Sequence, residues 1–157
     1  MQSWKAFEAA APDYANAAHR LFVGSDGAAI GFLATASPDG TPHIAPVCPI
    51  FAGDDLYLSA VTHTPKVRDL RDNPSFALHS FLGPDDEEVQ LIGLASEVTA
   101  ETERNAVHDA IQFGSFDKTH PVFRLSIRAA LWVYWENAGK PDTRAVRKRW
   151  GPSASAI

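Results

Sequence analysis

Cysteine is almost absent from this sequence of 157 residues, and long apolar runs are missing altogether. The single cysteine, Cys48, excludes an internal disulfide and is typical of a protein kept in a reducing cytoplasm. No stretch reaches the roughly 18 apolar residues of a membrane span, and the N-terminus lacks the basic and apolar regions of a signal peptide. We therefore expect a cytoplasmic protein that does not associate with a membrane.

The common catalytic motifs are missing too. The sequence has no P-loop, no glycine-rich dinucleotide fingerprint, no His-Glu-x-x-His and no Cys-x-x-Cys. Its histidines are scattered without the spacing of metal ligands, so we predict no metal site. His43, His63 and His79 lie on predicted strands or beside a helix start, where each could face a pocket or the surface. Because the side chains form no obvious catalytic group, a cofactor must supply any difficult chemistry.

Positive charge is scarce in most of the chain and concentrated at its end. Residues 1–140 contain 10 basic and 18 acidic side chains, whereas residues 141–157 contain four basic side chains and one acidic side chain. An acidic body lacks the broad basic face that nucleic-acid binding requires, so we expect no nucleic-acid partner. The basic tail could instead neutralise a ligand phosphate or a partner subunit.

The order of the predicted elements indicates the fold class. The length predicts one domain, residues 1–157, that buries roughly two-thirds of its unfolded surface. Residues 3–23 have the apolar stripes of two short helices, a lid or buttress, and residues 28–135 contain about six strands and a helix over 100–113. Residues 136–157 are predicted to form a basic tail. Hairpin connections without strand–helix alternation favour a mainly β fold, a small antiparallel barrel flanked by helices.

One predicted strand, residues 41–52, contains three prolines, Pro42, Pro46 and Pro49. Proline cannot donate a ladder hydrogen bond, so this strand should be bent, bulged or at an edge. A bent strand leaves backbone groups free for a ligand, although a blunted edge explains the prolines equally well. Two other strands contain a central glycine, Gly31 and Gly93, which predicts close approach of a neighbouring backbone.

The stretch of residues 56–74 has the pattern of an anion-binding site. A short strand ends near Ser59, and a helix follows with Thr64 as its N-cap, Pro65 as its first residue and Lys66 in its first turn. Unpaired amides and the helix dipole attract anions at such a position, and phosphate is the usual one. The alternative is an ordinary helix start with basic residues on a solvated face.

The last predicted strand region contains an aromatic cluster, Trp132, Tyr134 and Trp135. These rings could stack on a planar ligand, or they could belong to the core or to a subunit interface. The sequence leaves both interpretations open.

Several runs together resemble the pyridoxamine 5′-phosphate oxidase-like, FMN-binding split-barrel family, in particular its short bacterial members. These runs are FLATASPDGTPHIAPVCPIF, DDLYLSA, PKVRDLRDNPSFALHSF and VQLIGLASEV, and the similarity extends over residues 3–135. The more specific positions are Ala34-Thr35, Asp39-Gly40, Pro42, Lys66, Leu70, Asn73-Pro74 and Gly93.

The resemblance implies a six-stranded antiparallel split β-barrel that forms a homodimer, with FMN or a deazaflavin coenzyme at two sites in the interface. It implies that the cofactor phosphate is held by Ser59, Ala60, Thr64, Pro65 and Lys66. It places the flavin ring along Ala45, Pro46, Val47 and Cys48. Residues of the other subunit, Glu88 and Gln90, and aromatic residues near Trp132 are implied to close the site.

Three departures from the family pattern bear on function. The oxidase has arginines that grip FMN where this sequence has Ala45 and Pro65, and its C-terminal Arg-x-His has no clear counterpart, since Arg144-Ala145-Val146 lacks the histidine. We therefore do not expect pyridoxamine 5′-phosphate oxidase activity. The first hypothesis is an FMN- or deazaflavin-dependent oxidoreductase that acts on an unidentified small molecule. The alternatives are a non-catalytic protein that binds flavin, heme or another planar ligand, and a dimer whose site has decayed.

Overall fold

Two short helices, α1 (Trp4–Ala10) and α2 (Pro12–Phe22), begin the chain in the computed structural model, which describes residues 1–25, 27–111 and 117–152. The hydroxyl of Ser3 caps α1 by accepting a hydrogen bond from the Ala6 amide at 3.2 Å. Pro12 is the first residue of α2, where a missing amide costs nothing. The buried face of α2 packs on the sheet, so this helix acts as a buttress. With 11 residues, α2 is the longest helix in the described ranges, and none of these helices could cross a membrane.

Eight antiparallel strands and two further helices make up the rest of the described chain. In chain order these are β1 (Gly31–Ala36), β2 (Pro42–Val47), β3 (Pro49–Ala52), β4 (Asp55–Ser59), α3 (Pro65–Asp72), β5 (Ser75–Ser80), β6 (Glu88–Glu97), α4 (Glu101–Asp109), β7 (Val122–Glu136) and β8 (Arg144–Trp150). The strand order is β2-β1-β5-β6-β7-β4-β3, with β8 paired to β7. The expected mainly β split barrel with flanking helices is confirmed.

The proline-rich strand closes the barrel. It is interrupted at Cys48, so that β2 pairs with β1, through Val47 and Gly31, while β3 pairs with β4, through Pro49 and Leu58. The two ends of the strand order are therefore joined by one residue, which curls the sheet. The predicted bend is confirmed, and β2 is paired on one side only within the described residues.

The strand count differs from the predicted six. One additional strand arises because residues 41–52 form two strands rather than one. The other is β8, which lies within the predicted tail 136–157 and pairs with β7 from Ala130–Trp150 to Glu136–Arg144. The predicted helix 100–113 corresponds to α4, and its last two residues lie outside the described ranges.

Gly93 lies in close contact with the backbone of β7. The register between these strands shifts at Ile92 and Gly93, which leaves Arg128 as the extra residue of a β-bulge. A β-carbon at Gly93 would overlap the carbonyl oxygen of Ser126, and one at Gly31 would lie 2.9 Å from the His79 carbonyl oxygen. Both predictions of close backbone approach are confirmed.

Replacement of Gly93 by alanine should lower the free energy of unfolding by about 1–3 kcal/mol, because the added methyl group overpacks the strand interface. Urea denaturation measures this change. Gly40→Ala is the matched control, since a β-carbon there meets no atom and only the positive φ of 84° is unfavourable. If Gly93→Ala lowered the free energy of unfolding no more than Gly40→Ala does, the close approach of β7 to Gly93 would be contradicted.

Candidate functional site

The segment between β4 and α3 forms the phosphate half of the predicted site. Residues 61–64 make a turn in which the Thr64 amide and hydroxyl both donate to the Val61 carbonyl oxygen, at 3.1 and 2.9 Å. Thr64 is the N-cap residue by position, but its side chain does not cap the helix as predicted, because the hydroxyl is already engaged in the turn. The first turn of α3 therefore has no side-chain cap, and its dipole is available to an anion.

Two polar side chains beside this helix start lack partners in the described part of the chain. The Ser59 hydroxyl oxygen is buried without a hydrogen bond, and Ser59 is only 8% exposed. Lys66, in the first turn of α3, forms no ion pair with any acidic residue in the described ranges. An unpaired buried hydroxyl is costly, and a ligand oxygen would satisfy it. This pair of groups fits a phosphate.

The bent strand lies directly beside the end of β4. Continuing the register from the Pro49–Leu58 pair places Cys48 next to the buried Ser59, whereas residues 42–47 pair with β1 instead. Burial raises the pKa of the Cys48 thiol, which keeps it protonated and a poor nucleophile. The register thus brings one predicted ring residue, Cys48, close to one predicted phosphate residue, Ser59.

Asp69, which the sequence did not single out, connects the helix of the phosphate half of the site with the bent strand of the ring half. Its side chain is buried in α3 and accepts hydrogen bonds from Thr35 Oγ1 at 2.6 Å and from His43 Nδ1 at 2.8 Å. Burial opposes its charge, but the hydrogen bonds outweigh burial and lower the pKa of Asp69 below its usual value. The only signal in the sequence is an acidic residue between Val67 and Leu70, the apolar pair of the helix.

Glu88 and Gln90 lie on the outer face of the sheet, away from the core. Cross-strand pairing forms a row from Pro46 through Phe32 and His79 to Gln90, so Pro46 and Gln90 are about 14 Å apart at the usual strand spacing. His79 donates Nδ1–H to the Ser80 carbonyl oxygen at 2.7 Å, and its Nε2 lies 3.5 Å from Glu88 Oε2. His79, which the sequence left between pocket and surface, is therefore paired with one of the predicted site residues.

Trp132 is engaged within its own subunit. Its Nε1 donates to Glu87 Oε1 at 2.8 Å, the Tyr14 ring lies 5.9 Å away, and the Lys148 ammonium lies 4.9 Å from the indole centroid. Ser59 pairs with Val122, ten residues before Trp132 on β7, a separation on the order of 30 Å along the strand. One subunit therefore does not bring Trp132 to the start of α3.

The fold agrees with the comparison with protein families. The family model for pyridoxamine 5′-phosphate oxidase matches residues 17–133, and the chain belongs to this family. No curated protein matches the sequence.

Solved structures with similar folds include proteins of several kinds. General Stress Protein 26 from Bacillus anthracis superposes with a TM-score of 0.56 at 19% identity, covering 85% of this chain and 97% of that chain. An F420 reductase superposes with a TM-score of 0.53 at 24% identity, covering 71% of this chain and 94% of that chain. The heme-binding protein from Mycobacterium smegmatis gives a TM-score of 0.57 at 19% identity over 83% of this chain, which spans only 57% of that protein. These likenesses show a shared fold.

The Glu87 carboxylate should stabilise the protein in a pH-dependent way. Arg20 donates to it at 2.6 and 2.9 Å, and this hydrogen bonding, helped by Trp132 and opposed by burial, lowers the pKa of Glu87 below its usual 4.5. The Glu87 carboxylate therefore makes its full contribution to the free energy of unfolding above about pH 4.5. That contribution is lost as the pH falls through the lowered pKa of Glu87.

Glu87→Gln should cost about 1 kcal/mol at neutral pH, a modest value because Arg20 is half exposed and the pair is screened. Urea unfolding at neutral pH and near pH 3 measures the difference, which should shrink in acid. Asp86→Asn, at an exposed neighbour, is the control and should have no comparable effect. An equal cost at both pH values would show that the charge is not responsible.

Proposed function

We propose that this protein is an oxidoreductase that binds FMN or a deazaflavin coenzyme at the start of α3 and acts on a small molecule not yet identified. The observation that carries the proposal is the buried Ser59 hydroxyl without a hydrogen-bond partner at the end of β4, together with Lys66 in the first turn of α3, a helix without a side-chain cap. Membership of the pyridoxamine 5′-phosphate oxidase family and the structural likeness to an F420 reductase support it.

The residues divide the work of binding between two parts of the site. Lys66 and the Ser59 hydroxyl would hold the phosphate at the positive end of the α3 dipole, and the backbone of residues 45–48 would orient the ring. When bound, the cofactor supplies hydride transfer. Ala45 and Pro65 replace two arginines that bind FMN in the oxidase, so fewer positive charges would contact the cofactor phosphate. This weaker binding of FMN is compatible with a deazaflavin coenzyme.

Oxidation of pyridoxamine 5′-phosphate itself is not proposed. The C-terminal Arg-x-His of the oxidase has no clear counterpart in this chain, since Arg144-Ala145-Val146 lacks the histidine. Arg144 is itself paired with Glu136, with 2.7 Å between Nε and Oε2.

We also propose a homodimer with the cofactor sites at its interface. The outer face of the sheet bears an apolar row, Ile44, Ala34, Ala77 and Ile92, across β2, β1, β5 and β6. Ile44 is 72% exposed, and an open cleft of about 550 Å³ lies over the same strands. Exposed apolar faces of this kind are typical of interfaces. A second copy on this face would bring its own Glu88 and Gln90 toward the site, while the contacts of Trp132 favour a packing role.

A second candidate is a binding protein without catalysis, for heme or another planar ligand. The structural likeness to the heme-binding protein from Mycobacterium smegmatis favours it. Reduction of bound FMN or deazaflavin by a nicotinamide donor, with turnover of an acceptor, would separate the enzyme from the binding protein.

Fluorescence titration with FMN, and separately with a deazaflavin coenzyme, tests the proposed cofactor. Tight binding of one of them at one per subunit is expected. Lys66→Ala should weaken that binding by about 1–3 kcal/mol, the value for a lost hydrogen bond to a charged group. Lys140→Ala, which removes the same charge from the turn between β7 and β8, should leave binding unchanged. Wild-type affinity in the Lys66 variant would remove the argument for a phosphate grip.

The homodimer is tested by sedimentation of the purified protein. Ile44→Glu places a charge on the most exposed member of the apolar row and should convert dimer to monomer and weaken cofactor binding. Leu82→Glu, at an exposed apolar residue in the loop after β5, is the control. A wild-type protein that sediments as a monomer would rule out the shared site.

A further inference from the structure

The buried carboxylate of Asp69 joins three elements of the proposed site. Asp69 is 3% exposed and belongs to α3, whereas its two hydrogen-bond partners, Thr35 and His43, belong to β1 and β2. Thr35 and His43 face each other in the register of the two strands. One oxygen, Oδ2, accepts both bonds, so the carboxylate is fixed against a cross-strand pair.

The helix needs such a directional contact. α3 has 8 residues, about 12 Å, and helices shorter than roughly 12 residues are marginal on their own. Its buried Val67 and Leu70 hold it to the barrel by apolar contact, which is not directional. Charge-assisted hydrogen bonds are directional and are the stronger kind, so Asp69 determines where α3 lies along β2.

Asp69 lies close in the chain to the proposed phosphate-binding residue Lys66, and its partner His43 lies close to the predicted ring residue Ala45. Lys66 precedes it by three residues, one helical turn, and His43 precedes the predicted ring residue Ala45 by two residues on the same strand. The Asp69–His43 bond is thus the direct side-chain link between the phosphate-binding helix and the ring-binding strand.

We propose that Asp69 is a positioning residue, which, through Thr35 and His43, fixes the first turn of α3 at a set distance from the bent strand so that phosphate and ring are held together. This inference rests on the proposed cofactor site. It assigns to Asp69 no contact with the cofactor.

Four variants test the inference. Asp69→Asn removes the charge, and Thr35→Val removes one donor while keeping the shape. Thr35→Ser restores the hydroxyl and should rescue. Asp72→Asn is the matched control, because it removes the same charge from an exposed position on the same helix.

The first measurement needs no ligand. Hydrogen exchange of the α3 amides should be faster by about tenfold in the Asp69→Asn and Thr35→Val variants, and unchanged in Thr35→Ser and Asp72→Asn. Wild-type exchange rates in the Asp69 variant would overturn the inference.

The second measurement compares the dissociation constants of FMN and of riboflavin, which lacks the phosphate. Asp69→Asn should raise the constant for FMN by about tenfold and change that for riboflavin by less than about twofold, since only the phosphate contact is displaced. Equal weakening of both ligands, in step with a lower melting temperature, would show a merely structural role and overturn the inference. If the wild-type protein binds neither FMN nor a deazaflavin coenzyme, the proposed function fails, and the exchange rates alone then decide whether Asp69 fixes α3.

Discussion

The change of hydrogen-bonding partner at Cys48 is the constraint on which the rest of this fold depends. On one side of that residue the chain is a neighbour of β1, and on the other it is a neighbour of β4. Prolines at positions 42, 46 and 49 remove amides that a straight central strand would need. The same feature closes the barrel and leaves a strand edge next to the buried Ser59, so closure of the fold and formation of the candidate site have one cause.

The candidate site is built from backbone, one lysine and one hydroxyl rather than from a cluster of reactive side chains. This composition suits a protein that binds a reactive cofactor and contributes orientation. Lys66 forms no ion pair in the described ranges, whereas other basic side chains of this acidic protein, such as Arg20 and Arg71, are paired.

The sequence predicted features that follow from local stereochemistry. Three prolines predicted the bend, Thr64-Pro65 predicted the start of α3, and the lack of a side chain at Gly93 predicted close packing. Features that depend on distant partners were missed. Three consecutive basic residues hide the alternation of β8, and the partners of Asp69 lie 26 and 34 residues away in the chain. The Thr64 side chain was predicted to cap the helix, but its hydroxyl donates to the Val61 carbonyl oxygen instead. The position of that carbonyl is set by the conformation of the turn, which the sequence does not reveal.

The basic residues of β8 have a consequence for how copies of the protein can associate. β8 ends one side of the sheet, and Arg147, Lys148 and Arg149 are all exposed on it. Two such strands placed edge to edge would oppose their positive charges, which discourages growth of a continuous intermolecular sheet. Association through the proposed apolar interface would have no such barrier and would close after two copies. The chain is thereby protected from polymerisation at its last strand while it remains free to form a limited assembly.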